Sequence, residues 1–285
     1  MLTVLEIIKK TTDFLAAKGV ENPRLTAELL VGHGLGLKRM QLYLQFERPL
    51  TPADLEVIRP LVRRRGQREP LQYIVGETEF FGLKLKTDRR ALIPRPETEY
   101  LLEVLVGRLS APATILDLGT GSGAIALALA KQFPSAAVTA VDNSPAALAL
   151  AAENQASNGL EGRVTWMESN WFDAIETKST FDLIVANPPY LSAEETAEAS
   201  PEVREHEPAS ALTSEGAGGM ADLEKIISGA PRFLLPGGLL ALETGISHHR
   251  LLRELAERCG LGTFESVQDL TGRDRFVFIT AMQVS

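Results

Sequence analysis

The chain opens with apolar residues at helical spacing. Leu2, Leu5 and Ile8, and further on Phe14 and Leu15, recur so as to fall on one face of a helix. Residues 24–33 repeat the pattern behind Pro23, a residue suited to the first helical turn, and Gly32, Gly34 and Gly36 are expected to break it. Thr51-Pro52-Ala53-Asp54 combines a capping threonine with proline at the first helical position, and the helix it starts should run to about Arg65. No strand pattern interrupts residues 2 to about 70, so they predict a small helical domain. At Tyr73 the period changes. Tyr73-Ile74-Val75, Glu79-Phe80-Phe81 and Leu83-Lys84-Leu85-Lys86-Thr87 have strand character, are punctuated by Gly76 and Gly82, and predict a β-hairpin between two domains. Pro94 and Pro96 then enforce an extended stretch, with a helix starting near Pro96.

Beyond that point strands and helices alternate. Strands are expected at 114–118, 137–141, 164–168, 181–186, 238–243 and 276–281, and helices at 124–132, 145–158 and 250–258. Such alternation implies an α/β fold: a doubly wound, mostly parallel, Rossmann-like sheet with helices on both faces. The small all-α domain and the hairpin precede it. The expected boundaries are 1–72 for the helical domain, 73–93 for the hairpin linker and 94–285 for the α/β domain. Residues 191–219 form a long acidic stretch without clear periodicity and are read as a loop; a loop of that length in a compact domain is usually functional. Gly272-Arg273-Asp274-Arg275 reads as a hairpin turn.

Charge separates the two parts further. Residues 1–75 carry 12 Lys and Arg against 8 Asp and Glu, a net +4, whereas residues 76–285 carry 17 against 29, a net −12. An acidic main body argues against a broad nucleic-acid surface there, and no direct nucleic-acid binding is expected. Arg63-Arg64-Arg65 could meet a phosphate backbone, but a solvated helix face is the commoner use of such a cluster. The one cysteine, Cys259, permits no internal disulfide and reads as the end of an amphipathic helix closed by Gly260. The longest apolar run, 124–130, is far too short to span a bilayer, and residues 1–10 lack the pattern of a signal peptide. The expectation is a soluble, cytoplasmic protein that does not engage membranes.

Chemistry concentrates in two motifs. In Asp117-Leu118-Gly119-Thr120-Gly121-Ser122-Gly123 a strand runs into three alternate glycines and then a helix, which lets the backbone turn sharply and approach a ligand closely. Asp142 ends the next strand, where a carboxylate can accept hydrogen bonds from both ribose hydroxyls. Gly119, Gly121 and Ala124 also satisfy the dinucleotide spacing, so glycine spacing alone does not decide the ligand. Asp117 does: before the turn its carboxylate suits an ammonium group, whereas negative charge there opposes a pyrophosphate. The pair Asp117 and Asp142 therefore favours S-adenosylmethionine (SAM), and this part resembles the class I SAM-dependent methyltransferases.

The second motif is Asn187-Pro188-Pro189-Tyr190, delivered at the C-terminal end of a strand, where open α/β sheets place their ligands. The Asn187 side-chain oxygen and the Pro188 carbonyl could both accept from one NH2 group, and Tyr190 offers a flat face to a planar group. Amide and exocyclic amine nitrogens are poor nucleophiles because their lone pair is delocalised. Two acceptors on the N–H bonds raise electron density on nitrogen and aim it, so catalysis rests on positioning and electrostatics rather than on a strong base.

With both motifs in hand, nearly the whole chain resembles the release-factor glutamine methyltransferases (PrmC/HemK type). The resemblance extends over the helical domain, Glu69-Pro70-Leu71-Gln72-Tyr73-Ile74-Val75-Gly76, the Phe80-Phe81-Gly82-Leu83 hairpin, Ile93-Pro94-Arg95-Pro96-Glu97-Thr98-Glu99, and Glu207-Pro208 with Ala211-Leu212. The Asn-Pro-Pro-Tyr motif alone is shared with adenine-N6 DNA methyltransferases; the Pro-Arg-Pro-Glu-Thr-Glu stretch is more specific. The resemblance implies that 94–285 is the methyltransferase domain and 1–72 recognises the substrate. It implies that Gly119, Thr120, Gly121, Ser122 and Gly123 hold the methionine end of SAM and Asp142 the ribose. It also implies that the Ser169-Asn170-Trp171-Phe172 segment flanks the adenine. There the family has Asp where this chain has Asn170, which keeps one acceptor oxygen; Trp171 supplies an aromatic wall. Asn187 to Tyr190 would hold the glutamine of the Gly-Gly-Gln loop of class 1 peptide-chain release factors, and the product would be glutamine methylated on its side-chain nitrogen (N5).

Other candidates stay open at this stage. Arg95, Glu97 and Glu99 could border the substrate, or the two glutamates could serve as favourable charges in a helix first turn. Glu205 and Glu207 could line the substrate loop. His33, His206, His248 and His249 have no metal spacing and are expected at the surface. The alternative enzyme is an adenine-N6 nucleic-acid methyltransferase, which needs a basic cleft for a flipped base; a SAM-binding module without catalysis is the non-enzymatic alternative.

Overall fold

The structure, a computed structural model, describes residues 1–283. By its contacts the chain divides into two units: Met1–Glu77 with Ser200–His206, and Thr78–Ala199 with the chain from Glu207 on.

The first unit is helical. Helices α1 (Val4–Ala17), α2 (Pro23–Leu35), α3 (Arg39–Tyr43), α4 (Pro52–Gly66) and α5 (Leu71–Val75) bury Val4, Ile8, Leu15, Leu30, Val31, Leu42 and Ile58 among themselves. Thr3 and Thr51 cap α1 and α4, each in a reciprocal box with the acid three residues on, Glu6 and Asp54. Two expectations are corrected. Helix α2 runs through Gly32 and Gly34 instead of breaking there, because these glycines leave room for neighbours: a Cβ on Gly34 would lie 2.9 Å from Ile58 Cγ1, and one on Gly32 2.7 Å from the Leu37 carbonyl oxygen. Gly36, at φ +65°, ends the helix. Tyr73–Val75, read as strand, lies in α5 and is closed by Gly76 at φ +84°. An apolar run of three does not discriminate helix from strand, and here tertiary packing of Tyr73 and Ile74 decides. The separate piece of this unit, α10 (Pro201–His206), is held by Glu202. Its carboxylate accepts from Arg65 Nη2 at 2.8 Å and from Arg68 Nε and Nη2 at 2.8 and 2.6 Å. Burial alone would raise the Glu202 carboxyl, but the two guanidiniums outweigh it and hold it down at about 2.

The second unit begins with the hairpin β1 (Glu77–Phe80) and β2 (Leu83–Lys86), followed by α6 (Pro96–Arg108). Its sheet comprises β3 (Thr114–Leu118), β4 (Ala137–Asp142), β5 (Val164–Glu168), β6 (Phe181–Ala186), β7 (Leu234–Glu243), β8 (Phe264–Gln268) and β9 (Asp274–Thr280). The order is β5-β4-β3-β6-β7-β9-β8, parallel through β7 and antiparallel at β9 and β8. Helices α7 (Ala124–Gln132) and α8 (Pro145–Ser157) cover one side, α11 (Ala221–Gly229) and α12 (His249–Arg258) the other. The strand order reverses at β3, between β4 and β6, and this is where such sheets open a ligand crevice. Register aligns the strand ends: Leu118 pairs with both Val141 and Ala186, so Gly119, Asp142 and Asn187 leave the sheet side by side.

The stretch 191–219, read as a structureless loop, contains α9 (Ala193–Glu198), α10 and two 3-10 turns, Ala209–Ala211 and Ala217–Gly219. Neither α9 nor α10 has a buried residue, so neither carries an apolar period to be read. His248 and His249 are buried rather than at the surface. The Gly245 N–H donates to His248 Nδ1, so His248 Nε2 carries the proton and donates to the Gly218 carbonyl at 2.8 Å. His249 bridges Thr244 and Ser266, and burial lowers its pKa.

Candidate active site

The glycine turn is built by its neighbours. Thr120 N donates to the Val141 carbonyl, Gly121 N to Asp142 Oδ2 at 2.8 Å, and Gly119, Gly121 and Gly123 all have left-handed backbones. From α8, Asn154 Nδ2 donates to the Ser122 carbonyl at 3.0 Å while its oxygen accepts from Lys86 N at 2.7 Å, which ties turn and hairpin together. Asp142 accepts a second N–H from Ser144 at 2.9 Å; burial raises its carboxyl, against these bonds.

A cavity of about 370 Å³ opens over this turn. It is lined by Gly119, Thr120, Gly121, Ser122, Asp142, Asn170, Trp171, Asn187 and Pro189, so seven of its walls come from the expected cofactor residues and two from the second motif. Arg95 lines it too. Trp171, at φ +53°, packs against Gly119 and is fixed by its indole N–H donating to Asp222 Oδ1 at 3.1 Å. Asn170 lies exposed at the rim, its Nδ2 donating to Asp173.

Other expected residues lie outside the lining. Asp117 is wholly buried behind the turn; its Oδ2 accepts from Thr120 Oγ1 at 2.6 Å and Ala126 N at 3.1 Å, and its Oδ1 has no partner. Gly123 faces Ala151 and Trp166. Glu99 accepts from Phe81 N at 2.6 Å and thus anchors the hairpin, and Glu97 is exposed in the first turn of α6. Tyr190 presents no face to the cavity: its hydroxyl donates to Glu243 Oε1 at 3.1 Å, and the Arg275 guanidinium sits over its ring. Burial, then the Glu243 charge, raise the Tyr190 phenol. Glu207 is buried and holds Ile93 N at 3.1 Å and Arg95 Nη2 at 2.5 Å.

Residues given no role of their own from sequence complete the site. Thr98 lines the cavity, donates to Glu243 Oε2 at 2.7 Å and accepts from Asn187 Nδ2 at 3.0 Å. Pro208, Ser210 and Ala211 close another side. Thr98 lies between two acids in the Pro-Glu-Thr-Glu run, and nothing local marks Glu243, which ends an apolar strand. Gly219 touches the motif from behind: a Cβ there would lie 2.5 Å from the Tyr190 carbonyl oxygen. No group of three or more His, Cys, Asp or Glu placed to hold a metal ion occurs among the described residues, and no helix among them is long and apolar enough to cross a membrane.

The PrmC N-terminal domain family matches residues 6–76 and the methyltransferase small domain family residues 96–220. Over 275 residues the chain is 43% identical to a release factor glutamine methyltransferase of Geobacter sulfurreducens, covering 96% of this chain and 95% of that one. The chain belongs to the release factor glutamine methyltransferase family. The corresponding protein of Rhodopirellula baltica is 40% identical over 282 residues, at 96% and 95% coverage. Among solved structures, a methyltransferase from Pyrococcus furiosus superposes with a TM-score of 0.54 at 21% identity, covering 72% of this chain and 91% of that one. The T. thermophilus 16S rRNA N2 G1207 methyltransferase gives 0.51 at 22%, covering 73% and 50%. These two share the fold.

The family is SAM-dependent, and the residues present fit SAM. The turn leaves a cradle that a Cβ on Gly119 would invade, since that atom would lie 3.1 Å from Trp171. Asp142 stands at the cavity wall, where its carboxylate can meet ribose hydroxyls, and Asp117 lies buried beneath the turn with its Oδ1 unpartnered.

Burial pushes the Asp117 carboxyl from 3.8 up to about 7, the bonds from Thr120 and Ala126 opposing it. A carboxyl whose folded pKa exceeds its unfolded one takes up a proton on folding. Its contribution to stability is fully present below the unfolded pKa and is lost as pH rises through about 7. Asp117→Asn removes that dependence. Urea unfolding from about pH 5 to pH 8 should show the variant gaining on the wild type by up to ~1.4 kcal/mol per pH unit below pH 7. A gap that does not change with pH would mean Asp117 is ionised throughout.

Proposed function

We propose that this protein transfers a methyl group from SAM to the side-chain amide nitrogen of the glutamine in the Gly-Gly-Gln motif of class 1 peptide-chain release factors. The observation that carries the reading is the placement of Asn187, with its Nδ2 held by Thr98, on the same cavity as the Gly119–Ser122 turn and Asp142. The close relatives, each named a release factor glutamine methyltransferase and matched over nearly their full length, supply the substrate class.

When bound, SAM supplies an electrophilic methyl group on a positively charged sulfur. The chain's own residues do the rest. Gly119, Thr120, Gly121 and Ser122 would cradle the methionine end, Asp142 the ribose hydroxyls, and Trp171 with Asn170 the adenine. Asn187 Oδ1 and the Pro188 carbonyl would accept the two N–H bonds of the glutamine amide, which withdraws it from planarity and turns its lone pair toward the donor. Arg95, fixed by Glu207, would border the substrate. After transfer the methylated nitrogen would carry one N–H proton too many, which would pass to water at the open side of the cavity, so the chain's residues need supply no strong base before transfer. Release factors act in translation termination, which makes the cytoplasm the compartment of action.

The test is transfer of labelled methyl groups to a purified class 1 release factor and, in parallel, to duplex and single-stranded DNA, with mass spectrometry locating the label. Label on the Gly-Gly-Gln glutamine is expected. Label on adenine, or SAM binding without transfer to the release factor, would overturn the reading.

A further inference from the structure

The site contains a buried chain of polar groups that does not touch the cavity's glycine turn and ends on Asn187, a residue expected to serve both cofactor and substrate. Glu243, at the end of β7, is 2% exposed and accepts two hydroxyls: Thr98 Oγ1 on Oε2 at 2.7 Å and Tyr190 Oη on Oε1 at 3.1 Å. Thr98 then accepts Asn187 Nδ2 at 3.0 Å. Burial raises the Glu243 carboxyl, while the Thr98 and Tyr190 hydroxyls and the Arg275 charge favour its ionised form; with Glu243 as the acceptor, the direction of the chain follows. A threonine hydroxyl has one proton, and that proton is committed to the Glu243 carboxylate. Toward Asn187 the Thr98 oxygen can therefore only accept, so it selects the NH2 end of the amide. The opposite end, Oδ1, remains for a ligand in the cavity that Asn187 lines. At the other end of the motif, Arg275 Nη1 approaches Tyr190 Oη at 3.5 Å, which leaves the phenol proton for Glu243. One carboxylate thus holds both ends of Asn187-Pro188-Pro189-Tyr190.

We infer that Thr98 and Glu243 are positioning residues: they set the amide of Asn187 so that an acceptor, and not a donor, faces the substrate nitrogen. This rests on the reading that Asn187 accepts from the substrate amide. Were Asn187 turned over, its NH2 would confront the substrate NH2, donor against donor, and the nucleophile would be repelled. Glu243 lies behind Thr98, and Thr98, though at the cavity wall, has its one proton on Glu243, so the effect of both passes through Asn187.

The experiment uses the full chain with a purified class 1 release factor and labelled SAM, comparing wild type, Thr98→Val, Thr98→Ser, Asn187→Ala and the Thr98→Val/Asn187→Ala double variant. Thr98→Val is expected to lower kcat at least tenfold, with SAM affinity within twofold of wild type. Thr98→Ser, which keeps the hydroxyl, should restore kcat to within threefold. In the Asn187→Ala background Thr98→Val should have no further effect, because the group it orients is gone; a merely structural loss would persist there. If Thr98→Val does not fold, Glu243→Gln takes its place, since an amide cannot accept from both hydroxyls, and the same drop in kcat is expected. The inference is overturned if the substitution used leaves kcat within twofold of wild type, if serine is as impaired as valine, or if the loss is undiminished in the double variant. Full activity in Asn187→Ala would instead sink the reading of the site itself.

Discussion

Asn187→Ala is expected to lower kcat about 10²- to 10³-fold, the loss typical of removing one preorganised polar group aimed at a reacting centre. The amide nitrogen of glutamine begins with its lone pair spread over the carbonyl, so its reactivity depends on acceptors that localise it. Alanine removes one of two. The Pro188 carbonyl stays, because it belongs to a turn stiffened by two prolines. SAM affinity should change by no more than a few-fold, since the turn, Asp142 and Trp171 are held by bonds that do not involve Asn187. Asn187→Asp should not restore turnover. It offers acceptors on both oxygens, but Thr98 has already given its proton to Glu243, so an aspartate oxygen would face the Thr98 oxygen with no hydrogen between them. Single-turnover transfer with labelled SAM, alongside calorimetric SAM binding, checks both statements. Turnover within a few-fold of wild type in the alanine variant would remove Asn187 from the chemistry.

Asn187 was legible because a strand, a turn and a chemical need coincide within one run of residues. The same holds for the glycine turn, where local backbone demands are written as glycines and the adjacent strand contributes Asp142 at a fixed register. What escaped depends on tertiary contact. Glu243 ends an apolar strand and gains its role only through Thr98 and Tyr190, 145 and 53 residues away. Tyr190 was expected to offer its ring, and its hydroxyl instead turns to Glu243, since the motif's spacing does not reveal which way an aromatic side chain leaves the turn. His248 and His249 fell to the same cause: two polar residues at a helix start look solvated until Gly218, Thr244 and Ser266 arrive to satisfy them. Helix α11 (Ala221–Gly229) was not expected either, although Leu223, Ile226 and Ile227 recur at helical spacing, because it is short and follows directly on the acidic, aperiodic stretch.

Gly119→Ala is expected to weaken SAM binding about ten- to a hundredfold, equivalent to about 1.4 to 2.8 kcal/mol. Two costs combine. Gly119 sits at φ +69°, where an L-residue is disfavoured by roughly 1–2 kcal/mol. The added methyl would also stand 3.1 Å from Trp171 Cζ3 and 3.4 Å from its Cη2, closer than carbon atoms sit at rest. Without ligand the turn can relieve this strain by shifting away from the indole. Binding requires the turn and the Trp171 wall in register again, so the strain returns as lost affinity. Trp171 cannot simply retreat, because Asp222 holds its indole nitrogen and the Ser169 hydroxyl its carbonyl. The substitution therefore separates from Asn187→Ala in kind: it raises the SAM concentration needed for half-maximal rate, whereas loss of Asn187 lowers the rate at saturation. Calorimetry on the two variants side by side distinguishes these effects, and unchanged SAM affinity in Gly119→Ala would place the methionine end of SAM away from this turn.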